Sequence, residues 1–323
     1  MKGERGFALL GVMLVVALLT IVVLELAVAM RLEASAGRSF TDELLAAHLA
    51  EAAVQQALRE VLSQAPIQAV DEAGALVFYR VAPGSTVPVR LPSLSRTRVP
   101  LGSGEFSYRL TDEEARLNLN KASPDRVGRL LRALGLDRQA RDVVVDSLQD
   151  WKDPDELPRA NGAESADYYL KLPVPYRARN ARLQDRAELL QIRGITRELY
   201  LGMGDRPGLA DLTTVFGREG VNLNTAPAPV LAALGLSDAE VSDIVQARSR
   251  APYTVVPGRF AGRGLGVSSA TFRIEAEGWV AGARKARIVA IVQRRTQPPV
   301  AAGPDDLTAL GLTMLSWRVG GAR

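Results

Sequence analysis

Eighteen consecutive residues without a charge, Phe7 to Leu24, constrain this chain more than any other stretch. As a helix they extend about 27 Å, close to the ~30 Å hydrocarbon core of a bilayer. Lys2 and Arg5 precede them and Glu25 is the first acid after them. The basic leader predicts a cytoplasmic N-terminus, with everything after Met30 across the membrane on a single-pass tether.

Three processing routes suit such a start. A cleaved secretory signal is one, with Ala27-Val28-Ala29 as the small-residue site; but the run exceeds the usual ~7–15 apolar residues, and Glu25 stands where that site is neutral. A plain anchor is the second. The third is a prepilin-type leader, residues 1–6, cut between Gly6 and Phe7 so that the apolar helix stays on the mature chain.

The rest of the composition narrows the chemistry. The chain has 323 residues, no cysteine, and His48 as its one histidine, which excludes multi-histidine metal sites and most histidine-based catalysis. The net charge of +4 is too diffuse to indicate nucleic acid. Enzyme readings therefore start at a disadvantage.

Helical spacing continues past the membrane segment. Leu44, Leu45, His48, Leu49, Ala52, Ala53, Gln56 and Ala57 recur on one side, and Pro66 closes the pattern. This predicts one helix over 7–65, with 7–24 in the membrane and His48 as a packing or surface residue. Residues 66–120 read as a connector with first strands: Ala75–Val81, Val87–Leu91, and Gly104–Thr111, which is expected to pair with Arg116–Asn120.

From Lys121 the period changes to 3.6 and a repeat emerges. Arg116-Leu-Asn-Leu-Asn-Lys-Ala-Ser-Pro124 leads into Leu130-Leu-Arg-Ala-Leu-Gly-Leu136, and Gly220-Val-Asn-Leu-Asn-Thr-Ala-Pro227 into Leu231-Ala-Ala-Leu-Gly-Leu236. Each copy is an extended entry, a helix, a glycine turn and a second helix, which predicts a mostly helical insertion over 121–257. Closing strands follow within 258–295, Thr271–Val280 and Ala286–Gln293, joined by a hairpin-sized turn. Residues 296–323 remain as a tail.

Two stretches bear on function. The repeats resemble helix-hairpin-helix modules, which hold DNA phosphates on backbone amides; an exported DNA-binding protein is therefore the alternative reading. Against it, Leu234-Gly-Leu-Ser-Asp238 has one glycine and an acid that would repel phosphate. The other is Asp150-Trp-Lys-Asp-Pro-Asp-Glu-Leu-Pro-Arg-Ala-Asn-Gly-Ala-Glu164, with five carboxylates and an asparagine within fifteen residues. Such oxygen-only, turn-rich composition suits Ca²⁺, but on composition alone a solvated acidic loop is the better reading; a carboxylate pair for hydrolysis is a weaker third.

Asp150-Trp…Asn161-Gly-Ala-Glu164…Asp167-Tyr-Tyr169…Pro175-Tyr-Arg177…Asn180…Leu183-Gln-Asp185…Glu188-Leu189…Arg193-Gly194 resembles the signature of the minor pseudopilin K family of type II secretion systems. The two Asn-Leu-Asn segments, the closing strand pair and the prepilin-like leader fit the same family. The resemblance implies an α+β, pilin-like fold. In it a long N-terminal helix packs on a small antiparallel sheet, and a large, mostly helical domain with helix-hairpin-helix or SAM-like repeats is inserted. It also implies a subunit at the tip of a periplasmic pseudopilus, initiating or capping the filament and aiding export across the outer membrane. Its implied partners are the minor pseudopilins of I and J type, the prepilin peptidase and the bacterial inner membrane. Contact with secreted substrates or the outer-membrane secretin would extend that set, and nucleic acid is not expected. Calcium is the implied cofactor, with Asp150, Asp153, Asp155, Glu156, Asn161 and Glu164 as candidate ligands. Most filament-forming pilins carry a glutamate at the fifth mature position; after cleavage at Gly6 that position here is Gly11, with no acid before Glu25.

Overall fold

The computed structural model describes residues 4–62, 66–295 and 311–321. Helix α1, Glu4–Val61, is a single element of about 87 Å, uninterrupted because no proline falls within it. It has two unlike halves. From Leu9 to Leu32 every large apolar side chain is more than half exposed. From Ala46 onward the stripe Ala46, Leu49, Ala50, Ala53, Val54, Ala57 and Val61 is buried. His48 lies on the solvent side, 3.3 Å from Glu51.

The buried half of α1 crosses an antiparallel sheet. Strands β1 (Ile67–Val70), β2 (Leu76–Val81) and β3 (Pro88–Arg90) form a small three-stranded sheet after the helix. Strands β4 (Val99–Leu101) and β5 (Gly104–Asp112) begin the main one. Helices α2 (Pro124–Ala133), α3 (Arg138–Lys152), α4 (Arg197–Leu201), α5 (Leu209–Leu212), α6 (Ala228–Ala233) and α7 (Asp238–Arg250) follow. Strands β6 (Thr271–Val280), β7 (Ala283–Arg294) and β8 (Leu312–Gly321) complete the main sheet. Its order is β8-β7-β6-β5-β4, with every neighbouring pair antiparallel. Phe106, Tyr108, Leu110, Ile274, Ala276 and Ile288 on its inner face meet the alanine stripe of α1. At the crossing point the helix backbone nearly touches the sheet: a Cβ on Gly278 would lie 1.8 Å from the Ala46 carbonyl oxygen. The β6–β7 turn is Ala281-Gly282, both with positive φ (51° and 80°), the conformation that suits two-residue hairpins.

Three local expectations differ from the structure. The buried stripe of α1 is turned from the expected side, with Leu44 and His48 exposed and Ala46, Ala50 and Val54 buried, because small side chains let the helix backbone approach the sheet. Residues 116–120 do not pair with β5. Asp112 accepts a hydrogen bond from the Glu114 N–H (2.8 Å) and caps a short 3₁₀ turn, Glu113–Ala115, that carries the chain out of the sheet; β5 instead pairs with β4 and β6. Leu117-Asn118 makes only a two-residue parallel pair with Thr213-Thr214. Within the stretch read as a tail, residues 312–321 form strand β8, which runs antiparallel to β7.

The helices build a second core. Its largest buried side chains include Trp151, Tyr169, Leu130, Leu131, Leu189 and Leu212. The two Asn-Leu-Asn segments do the same work in each copy. Asn118 and Asn222 each accept from the backbone N–H two residues on, at 3.0 Å. Asn120 closes a two-way amide pair with the Leu183 backbone (2.9 and 2.8 Å). Asn224 closes the same pair with Tyr253 (2.7 and 3.0 Å). In the second copy the clamp closes three residues after α7; in the first it closes 31 residues after α3, so the acidic segment is an excursion that the Asn120 clamp ties off.

Candidate functional site: an acidic excursion on the helical domain

The acidic segment starts in the last turn of α3 at Asp150, leaves the helix at Asp153 and rests on an aromatic base. Trp151 packs edge-on against Tyr169 with ring centroids 5.3 Å apart, and Tyr169 lies 5.2 Å from Tyr176. Arg193 ties the base to the turn by donating to the Gly162 carbonyl (2.8 Å). Gly162 is required at close quarters: a Cβ there would sit 1.8 Å from the Asp150 carboxylate.

Asp153, Asp155 and Glu164 converge, each offering an oxygen within 4.8 Å of the others. Glu164 has no exposed surface, and neither of its carboxylate oxygens has a hydrogen-bond partner; Asp153 Oδ1 is likewise buried and unpartnered. Burial, and then the charges of Asp150, Asp153, Glu156 and Asp155, push the Glu164 carboxyl up from its ordinary 4.5 to about 7. A buried carboxylate without a donor is costly, and three acids this close repel one another. Both costs are removed by a hard cation, whose oxygen ligands at ~2.3–2.6 Å lie within ~5 Å of each other around one ion.

The remaining candidates divide. Glu156 stands at the edge of the cluster, where its Oε1 accepts from Ser165 Oγ and Asn180 Nδ2, both at 3.1 Å. Asp150 is fully buried, but Arg159 holds it, through Nη1 at 2.6 Å and the backbone N–H at 3.2 Å. Asn161 is turned toward α3, where its backbone and side-chain N–H groups donate to Asp146 Oδ2 (3.1 and 3.0 Å). Asn180 joins the cluster from 16 residues beyond Glu164. It adopts φ of 49°, donates to the Asp155 carbonyl at 3.2 Å, and keeps its own Oδ1 buried and unpartnered. Its left-handed backbone is one asparagine tolerates better than most residues.

A second polar cluster joins the helical domain to the sheet. Asp112 is buried and accepts from Thr225 Oγ1 (2.6 Å), Ser269 Oγ (2.6 Å) and Asn222 Nδ2 (2.9 Å). Burial raises its pKa, opposed by those hydrogen bonds. Burial would raise Glu113 too, but the Arg116 and Arg273 guanidiniums hold it below its ordinary value; Arg273 Nε lies 2.5 Å away, and Thr214 Oγ1 also donates to it. Glu114, raised by burial and by Asp112, accepts from Thr271 at 3.0 Å. In sequence these three acids look like a polar turn; partners from residues 214–273 turn them into a buried joint.

The glycine hairpins leave little for a phosphate. The first amides of α3 and α7 are capped by Asp137 and by Ser237 with Glu240. Arg263 donates to the Gly235 carbonyl at 2.7 Å.

Comparison with known proteins decides the family. Two models described as type II secretion system protein K match residues 108–204 and 221–258. The type II secretion system protein K of Pseudomonas aeruginosa is 31% identical over 270 residues, covering 77% of this chain and 74% of that protein. The chain belongs to the type II secretion system protein K family. The Pectobacterium carotovorum member is 31% identical over 192 residues, 53% of this chain and 57% of its own. The fold matches a chain in the crystal structure of the GspK-GspI-GspJ complex of enterotoxigenic Escherichia coli, with a TM-score of 0.59 at 18% identity, covering 89% of this chain and 99% of that one. The protein K fold is therefore the α+β arrangement described above, and the chain is a minor pseudopilin of type II secretion. Its first apolar helix is long enough to cross a membrane.

Proposed function

We propose that this protein K caps or initiates the pseudopilus from its tip, beside minor pseudopilins of I and J type, and so aids export across the outer membrane. The observation that carries the reading is the bare half of α1. Its apolar side chains from Leu9 to Leu32 are exposed along the helix, and such a surface is stable only in lipid or against similar helices. A solved protein of the same fold comes from a complex with GspI and GspJ. In this reading the prepilin peptidase cuts between Gly6 and Phe7, the N-terminus starts in the cytoplasm, and the head is periplasmic in the inner-membrane-anchored state. The helical domain adds bulk that a subunit with neighbours on every side would have to accommodate and a terminal one would not. Secreted substrates and the secretin are the partners such an exposed head would meet.

Calcium is the proposed cofactor, held by Asp153, Asp155 and Glu164, with Glu156 and Asn180 at the margin. Its role is structural. It removes the repulsion among buried carboxylates and fixes an excursion that otherwise rests on the Trp151–Tyr169–Tyr176 base. The DNA-binding reading loses ground because acids and a serine of the chain itself cap the hairpin amides.

Affinity purification of the full chain from detergent-solubilised membranes tests the reading. Two smaller pseudopilins are expected to co-purify, with no salt-sensitive retention on duplex DNA. Isolation without them, together with DNA retention lost at high salt, would overturn it.

A further inference from the structure

We propose that Arg159 is an internal counter-cation that withholds Asp150 and one oxygen of Asp153 from the acidic site, and thereby limits how tightly that site binds calcium. The inference rests on the calcium reading above. Arg159 Nη1 lies 2.6 Å from Asp150 Oδ1 and 2.5 Å from Asp153 Oδ2. Its backbone N–H donates to Asp150 Oδ2 at 3.2 Å, so a single residue occupies both oxygens of a fully buried carboxylate.

The consequence for Asp153 is a division of labour. Its Oδ2 faces the guanidinium, while Oδ1 is buried and unpartnered like the two oxygens of Glu164. Asp153 is thus limited to one oxygen for a cation. An entering Ca²⁺ also meets the field of a positive charge just behind its inner ligands. Arg159 itself is 42% exposed, so it reaches the cluster from the solvent side rather than being locked in the core.

Two effects of opposite sign follow from removing it. Asp150 is left as a buried charge without its counter-ion, which destabilises the metal-free protein. The same uncompensated charge, and the freed Asp153 oxygen, favour a divalent cation. A residue with only a structural role would give the first effect without the second.

Calorimetric titration of the full chain in detergent with CaCl₂, paired with melting in chelator, separates these cases. R159Q is expected to melt lower in chelator yet bind calcium roughly tenfold more tightly than the wild type. R159K, which keeps the charge, should stay near the wild type. D150N, which folds around an isosteric side chain and leaves Arg159 partly unbalanced, should bind several-fold more weakly. If the wild type binds calcium and R159Q binds no more tightly, or D150N no more weakly, the role assigned to Arg159 is wrong. If the wild type itself binds no calcium, the calcium reading fails irrespective of Arg159.

Discussion

Neutralising Glu164 should stabilise the protein without calcium and abolish its response to calcium. The metal-free carboxyl titrates near 7 instead of its ordinary 4.5. Between those values the folded state holds a proton that the unfolded state has released. Stability therefore falls as pH rises from 4.5 through 7, and the cost is fully present above 7. At ~1.4 kcal/mol per unit the burden is about 3 kcal/mol. Glu164→Gln removes it, and the new amide can donate to Asp153 and Asp155, which converge on the same point. Denaturant melts of the full chain in detergent, with chelator, at pH 5 and pH 8 read the effect. The wild type should be less stable at pH 8 than at pH 5 by an amount that the variant largely lacks. Millimolar calcium should raise the wild-type midpoint and leave the variant nearly unmoved. A variant less stable than the wild type at pH 8 in chelator, with an intact calcium shift, would refute the reasoning.

Other perturbations reach the rest of the molecule. Asp112→Ala strips the acceptor from Thr225 and Ser269 and one of two from Asn222, and at ~1–3 kcal/mol per stranded buried group the two stranded hydroxyls should cost roughly 2–6 kcal/mol in denaturant melts. Gly278→Val forces α1 away from β6, since even a Cβ would meet the Ala46 carbonyl at 1.8 Å; a loss of about 3 kcal/mol or more is expected, read by the same melts. Gly11 has open space around it, so Gly11→Glu should leave head stability unchanged while altering assembly and secretion. A glutamate there would pair with the terminal amine of an earlier neighbour, which a subunit at the tip lacks; unchanged assembly, filament position and secretion would show that the missing acid does not bear on position.

What could be read from the sequence was what is local. The uncharged run, the continuation of its helix, the Asn-Leu-Asn repeat and the crowding of carboxylates from Asp150 to Glu164 all express themselves within a few turns of chain; which side of the helix is buried does not, since Leu44 is exposed and Ala46, Ala50 and Val54 are buried. What could not be read depends on partners far along the chain. Glu114 finds Thr271 across 157 residues, so Asp112-Glu113-Glu114 reads in sequence only as a polar turn. Within the acidic segment, composition could not tell Glu164, buried without a donor, from Asp150, satisfied by Arg159, or from Asn161, turned to Asp146. Asn180 enters the cluster only because of a left-handed backbone that no periodicity signals. Strand β8 was hidden because its partner, β7, lies on the far side of residues 296–310.

The N-terminal residue of the mature protein, determined on material purified from membranes, tests the filament reading most directly. Cleavage between Gly6 and Phe7 keeps the apolar helix on the subunit, and the account predicts Phe7. A chain beginning at Met30 would have lost the helix by which a pseudopilin joins its filament, and would contradict the account.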